Sequence, residues 1–258
     1  MARTRILFLI TICMTFELSA ADASRPVDQK GNTATASPAA GSPGPLRDNP
    51  TYNVLKIDNF PIVTVHQLEH RPPSKARKTY GKGRRLLEKG QLSEAITWLG
   101  EAVAIDPEYS EAHNDLAAAY IRAGRPDQAI PLLKSTIDVD PHWGLAYFNL
   151  AIAYLSLNEL SQAECTARRM AKIDAGSAQA GLVLGLSLTV ENKFTLEAQA
   201  ALTQAEPVFP EASLLLARTL AGRGEIQAAK LKISTYLASP AMWGREMANE
   251  WLALLDKK

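Results

Sequence analysis

The chain has 258 residues, a net charge of +1, and 47% hydrophobic residues, of which aromatics supply only a small part. That length holds one or two domains, the balanced charge points to no partner of either sign, and the Ala and Leu content favours helix. The two cysteines, Cys13 and Cys165, stand in no CxxC or Cys/His spacing; if Cys13 leaves with a targeting segment, a single thiol remains and an internal disulfide is excluded. A lone Cys165 is expected to be a small buried hydrophobe.

The chain starts with Arg3 and Arg5, an apolar run from Ile6 to Phe16, and the small residues Ser19, Ala20, Ala21 and Ala23. This is the order of a secretory signal peptide over 1–23, with an uncleaved anchor as the other reading. The run is too short for the roughly 20 residues that span a bilayer as a helix. Export to the periplasm or the exterior is therefore expected. Residues 24–48 are dominated by Pro, Gly, Ser, Ala and Thr and bury too little apolar surface to order themselves, so they read as a disordered linker. Over 49–73, "YNVLKI" and "PIVTVHQL" are rich in β-branched residues and read as an extended or strand-like lead-in. Pro72-Pro73-Ser74 then breaks the chain, with Ser74 placed to cap a helix.

From about residue 76 the chain repeats itself. Pro107 to Pro141, Ala117 to Ala151 and Ala151 to Gly185 are each 34 residues apart, and Gly185 to Ala217 is 32. Five copies align over about 76–109, 110–143, 144–177, 178–209 and 210–239. A small residue recurs at Gly83, Ala117, Ala151, Gly185 and Ala217, after a large apolar one at Leu116, Leu150, Leu184 and Leu216, where the first copy has Lys82. Three residues on stand Leu86, Tyr120, Tyr154, Leu188 and Leu220. Four further are Gly90, Gly124, Asn158, Asn192 and Gly224, residue types that end a helix in left-handed geometry. A second helix carries Ala95, Ala129, Ala163, Ala198 and Ala229, then Leu99, Leu133, Ala167, Leu202 and Ile233 on the same face. Each copy is thus a helical hairpin whose small residues admit close approach, and hairpins stack because one alone cannot bury both faces.

These columns resemble the tetratricopeptide repeat family, a 34-residue helix-turn-helix closing in Pro. Asp106-Pro107 and Asp140-Pro141 sit at that junction. The resemblance covers about residues 76–239, and the lead-in is similar to the segment before the first repeat of exported bacterial members. It implies an all-α, right-handed superhelical solenoid of about five repeats. Departures are the polar first helix, Ala175 in place of the closing Pro, and an insertion near Phe194 with a loss before Pro207, where stacking is expected to be less regular. After Pro240 the last segment, 240–258, reads as a capping helix with Met247, Trp251, Leu254 and Leu255 on one face, joined by Met242 and Trp243.

No catalytic constellation is legible. His66, His70, His113 and His142 have no ligand spacing, and "YGKGRR" at 80–85 lacks the form of a phosphate loop. No catalysis, metal or cofactor is expected.

The resemblance implies that the first helices line a concave groove. Its N-terminal part then carries Tyr80, Arg84, Asn114, Ala118, Ile121 and Arg122, and its middle the apolar Phe148, Ile152, Leu182 and Leu186; Leu155, Thr189, Leu214 and Arg218 extend it. Such a face suits an extended or helical peptide from a protein partner. Equally, Phe148 and Leu182 pack on each other or against the strand-like lead-in folded back into the groove. The chaperone-tail clamp of some family members is not resembled, because Leu145 and Gln179 stand where that clamp has basic residues. A second surface is basic: Lys75, Arg77, Lys78, Lys82, Arg85 and Lys89, with Arg71 and Arg84, face Glu88 alone between Arg71 and Lys89. It reads as a solvated outer face, or as a patch for anionic lipid or an acidic protein, with no nucleic acid expected. The expected function is a non-catalytic interaction scaffold in the cell envelope, or else a membrane-surface assembly factor acting through the basic helix.

Overall fold

The computed structural model describes residues 70–239 and 245–256. The expected signal peptide, the linker, the strand-like lead-in up to Glu69, and Met242 with Trp243 lie outside them. Among the described residues there are eleven helices and no strand. They run as hairpins: α1 (Ser74–Glu88) with α2 (Leu92–Ile105), α3 (Ser110–Arg122) with α4 (Pro126–Val139), α5 (Gly144–Ser156) with α6 (Leu160–Ile173), α7 (Ala178–Val190) with α8 (Leu196–Ala205), and α9 (Ala212–Gly222) with α10 (Ile226–Ala238). The last helix, α11 (Arg245–Leu255), follows alone. Every helix packs on its sequence neighbours, and the first helices α1, α3, α5, α7 and α9 also pack on one another in that order. The result is an all-helical superhelix of five repeats and a closing helix, with the first helices as its inner rank.

Each hairpin turns through one left-handed residue. Gly90, Gly124 and Gly224 have φ of 74°, 75° and 83°, and Asn158 and Asn192 have φ of 60° and 57°. Beside them the N–H groups of Gln91, Arg125, Glu159, Lys193 and Glu225 donate back to the carbonyls of Leu86, Tyr120, Tyr154, Leu188 and Leu220, each at 2.9 Å. This bond occupies a carbonyl that the end of a helix leaves without an internal partner. Between hairpins an aspartate shapes the turn. Asp106 Oδ1 accepts the Glu108 N–H at 3.2 Å, and Asp174 Oδ1 accepts the Gly176 N–H at 2.9 Å. Asp174 therefore forms the third junction although Ala175 replaces the usual proline.

The small-residue column explains the close pairing. A Cβ added to Gly83 would stand 2.7 Å from Leu99 Cγ, and one added to Gly185 would overlap the side chain of Leu202. Ala117, Ala151, Ala217, Leu133, Ala167 and Ile233 are fully buried at the same seam. The fourth hairpin departs from the pattern as its sequence does, with α8 ten residues long against fourteen in α2, α4 and α6. Phe194 lies against Gly222, where a Cβ would overlap its ring.

Three local expectations need correction. Ser74 is the first helical residue of α1, and Pro73 occupies the cap position with no side-chain bond. Leu254 is exposed; α11 buries Ala248, Trp251 and Leu255. Leu254 lies about 100° round the helix from Leu255, off the line of contact. Cys165 is exposed, at the rim of a shallow cleft between α4, α5 and α6. At the C-terminal end the Arg245 guanidinium donates to the carbonyls of Ser239 and Leu237 at 3.1 and 2.5 Å, and Lys230 Nζ meets Asp256 Oδ1 at 2.8 Å. These contacts tie α11 to α10.

Candidate partner-binding groove

The faces of a first helix can be assigned from its contacts. Gly185 faces Leu202 on α8, so that direction is the hairpin seam. Turning about 100° per residue brings Leu186 to the side of α7, and Val183 nearly opposite the seam. The same rotation on α5 and α3 brings Ile152 and Asn149, and Ala118 and Asp115, to the inner rank. Phe148, Leu182, Ile121 and Leu155 flank them. The sequence-predicted apolar residues therefore fall on neighbouring helices along one continuous face. All are buried, with Phe148 and Leu186 at 0%, Ile152 at 1% and Leu182 at 6% exposure.

A chain of polar contacts links the inner rank from helix to helix. The Tyr80 hydroxyl on α1 donates to Asp115 Oδ2 on α3 at 2.8 Å. Asn149 Nδ2 on α5 donates to Asn114 Oδ1 on α3 at 2.8 Å. The Thr189 and Thr219 hydroxyls of α7 and α9 lie 3.0 Å apart. Arg122 Nη1 donates to the Leu87 carbonyl at 3.1 Å, which closes the exposed end of α1. Arg218 Nη2 donates to Asn192 Oδ1 at 2.6 Å, and its guanidinium lies over the Phe194 ring at 5.6 Å.

Asp115, Asn149 and Thr219 are absent from the sequence-based site. Each follows directly in sequence a residue already on the groove, Asn114, Phe148 or Arg218, and so lies about 100° round the helix from it, which is why spacing alone does not single them out. Loss of hydration pushes the Asp115 carboxyl above its usual range, although Tyr80, Arg84 and Asn114 pull the other way. The Tyr80 hydroxyl is pushed up by the same burial and by the Asp115 charge. Asn149 Oδ1 is buried and accepts no hydrogen bond among the described residues. The N-terminal end of the groove is thus polar and the middle apolar.

The basic residues lie elsewhere on α1. Lys75, Arg77, Lys78, Lys82, Arg85 and Lys89 are all exposed. Lys82 Nζ stands 4.3 Å from the centre of the Trp98 ring on α2. Arg84, placed in the groove by its spacing, is exposed and pairs with Glu88 at 3.7 Å. Among the described residues no group of three His, Cys, Asp or Glu side chains is placed to hold a metal ion, and no helix is long and apolar enough to cross a membrane.

Comparison with known proteins agrees with this geometry. The tetratricopeptide repeat family model matches residues 86–145 and 122–184. No curated protein sequence matches the chain. Among solved structures, MamA (residue 41 to the end) from Desulfovibrio magneticus RS-1 superposes with a TM-score of 0.58 at 16% identity, over 65% of this chain and 96% of that one. A thermophilic tetratricopeptide repeat protein of Thermus thermophilus gives 0.54 at 21% identity, over 70% and 98%. PilF of Pseudomonas aeruginosa gives 0.58 at 18% identity, over 70% and 89%. At these identities the likeness is one of fold. The hairpins, their shared left-handed turn and the family match together identify residues 86–184 as tetratricopeptide repeats and the described helices as a solenoid of that fold.

Proposed function

We propose that the chain is a non-catalytic scaffold of the cell envelope that holds an extended segment of a protein partner along its inner rank. Proteins of this family typically mediate protein–protein interaction and are generally not enzymes. The observation that carries the reading is the apolar stretch of Phe148 and Ile152 on α5 and Leu182 and Leu186 on α7, neighbouring helices of the inner rank, with hydrogen-bonding groups of Tyr80, Asp115 and Asn149 at one end. Apolar side chains of a ligand would fill the middle, and its backbone amides would meet the polar end. A stacked frame of helices presents that face already formed, so little order is lost on docking. The envelope location rests on the signal-peptide order of residues 1–23.

The exposed cations of α1 support a second reading, a membrane-surface assembly factor in which α1 meets anionic lipid. One capture experiment separates the two. The full chain, an Ile152→Ala or Ala118→Arg variant shown to remain helical, and a Lys75→Ala, Lys78→Ala, Arg85→Ala variant are used as bait in envelope extract of the source organism. A protein retained by wild type and the α1 variant but lost by the groove variants is the expected result. Loss by the α1 variant alone would move the site to α1, and flotation on vesicles with anionic lipid would then identify its partner.

A further inference from the structure

The cleft between α4, α5 and α6 is separate from the groove and has a volume of about 320 Å³. Its floor is Tyr147, Leu150 and Tyr154, which recur at helical spacing along α5. Leu150 and Ile152 stand about 200° apart round that helix, so the cleft opens on a different side of α5 from the inner rank. One wall carries Lys134 and Asp138 of α4, and the other carries Gln162, Cys165 and Arg169 of α6.

Charge is laid out in order along this cleft. At one end Lys134 Nζ lies 6.0 Å from the centre of the Tyr154 ring. At the other end the opposite charges of Arg169 and Asp138 both act on the Tyr147 hydroxyl. Lys134, Asp138 and Arg169 form no ion pair among the described residues. Tyr154 is 5% exposed, and its hydroxyl has no hydrogen-bond partner among the described residues. From the turn at Asn158, α6 runs back along α5, which sets Cys165 level with the middle of the floor. Its thiol is free and exposed. The cleft thus has a cation at each end, a carboxylate beside one of them, and a sulfur nucleophile between.

We propose that this cleft takes a short anionic peptide disulfide of the glutathione type, and that Cys165 exchanges with it to form a mixed disulfide. Tyr147 and Tyr154 are seven residues apart, or about 10 Å along the helix, which is about the reach of three extended residues. A tripeptide with its sulfur on the central residue matches that length. Its terminal carboxylate meets Lys134 and the open hydroxyl of Tyr154. The carboxylate and ammonium of its amino-terminal residue meet Arg169 and Asp138. In the exchange the Cys165 thiol loses its proton to solvent, and the thiolate attacks one sulfur of the ligand. The new S–S bond forms as the ligand's S–S bond breaks, and the released thiolate takes up a proton. Cys165 is oxidised, the leaving half of the ligand is reduced, and the ligand disulfide is the oxidant. A reducing thiol reverses the step.

The test uses the full chain with Cys13→Ser, so that Cys165 is its single thiol. Oxidised glutathione and the dicationic disulfide cystamine are each reacted with it at low salt, and the adduct is followed by intact mass. The rate ratio, anion over cation, is divided by the same ratio for the chain unfolded in urea, where Cys165 has no cleft around it. The expected quotient is at least about tenfold and falls as salt is added. A Lys134→Gln, Arg169→Gln variant, with helical circular dichroism checked, should bring it close to one. A quotient of one for the unsubstituted cleft would overturn the proposal, because Cys165 would then be an ordinary exposed thiol. A quotient kept by the variant would overturn the role given to the two cations. Dithiodiglycolate, a dianionic disulfide without a peptide, tests the span. If its own quotient equals that of oxidised glutathione, the cleft selects charge alone and the peptide ligand is wrong.

Discussion

Asp115 is a carboxyl that loses its hydration in the fold, beside the hydroxyl of Tyr80 and within reach of the charges of Arg84 and Glu111. Its raised titration point means that the folded protein holds this proton more tightly than the unfolded chain does. Linkage then makes stability fall as pH rises through and beyond the unfolded value of about 4. Asp115→Asn keeps an acceptor for the Tyr80 hydroxyl and removes the charge. Its melting temperature should exceed that of wild type at pH 7, and the gap should shrink towards zero as pH is lowered to about 3.5. A gap that is constant over this range would show that the Asp115 charge carries no cost in the fold. A costly carboxyl retained at the polar end of the groove agrees with a role in holding a ligand rather than in holding the helices.

Three kinds of glycine appear in these helical hairpins. Gly90, Gly124 and Gly224 supply the left-handed turn. Gly181 is a contact residue, since an added Cβ would stand 2.5 Å from the Ala201 carbonyl oxygen on the backbone of α8. Gly81 and Gly100 are helical, with nothing within 4 Å of an added Cβ. Gly181→Ala gains helix propensity but must push α7 from α8, and a net loss of about 1–3 kcal/mol is expected. Gly81→Ala and Gly100→Ala keep only the propensity term and should each gain about 0.5–1 kcal/mol. Urea unfolding of the three variants decides it. A Gly181→Ala protein as stable as wild type would mean that α7 and α8 separate at no cost.

Over the whole molecule, stability is a sum of hairpins and the interfaces between neighbours. The end of the stack is closed by Trp251, 5% exposed, together with Ala248 and Leu255. Trp251→Ala should cost about 3 kcal/mol. The loss should be local, with faster hydrogen exchange in α9, α10 and α11 and unchanged exchange in α3 to α6. Uniform acceleration through all eleven described helices would show that the solenoid unfolds as one unit.

The repeat was legible in the sequence because its signals are local. A small residue at the hairpin seam, a left-handed residue after the first helix and an alanine in the second act through contacts within one copy, so a 34-residue period states them plainly. Helix order, hairpin pairing and the place of the inner rank follow from that period. Tertiary structure alone decided what depends on neighbours from other copies. Asp115 and Asn149 joined the groove because Tyr80 and Asn114 reach them across helices 35 residues apart in sequence. Leu254 and Cys165 turned outward because exposure depends on where the adjoining helix ends. The burial of Phe148, Ile152 and Leu186 could not be read from amphipathic pattern, since an apolar face looks the same in sequence whether water or another segment of chain covers it.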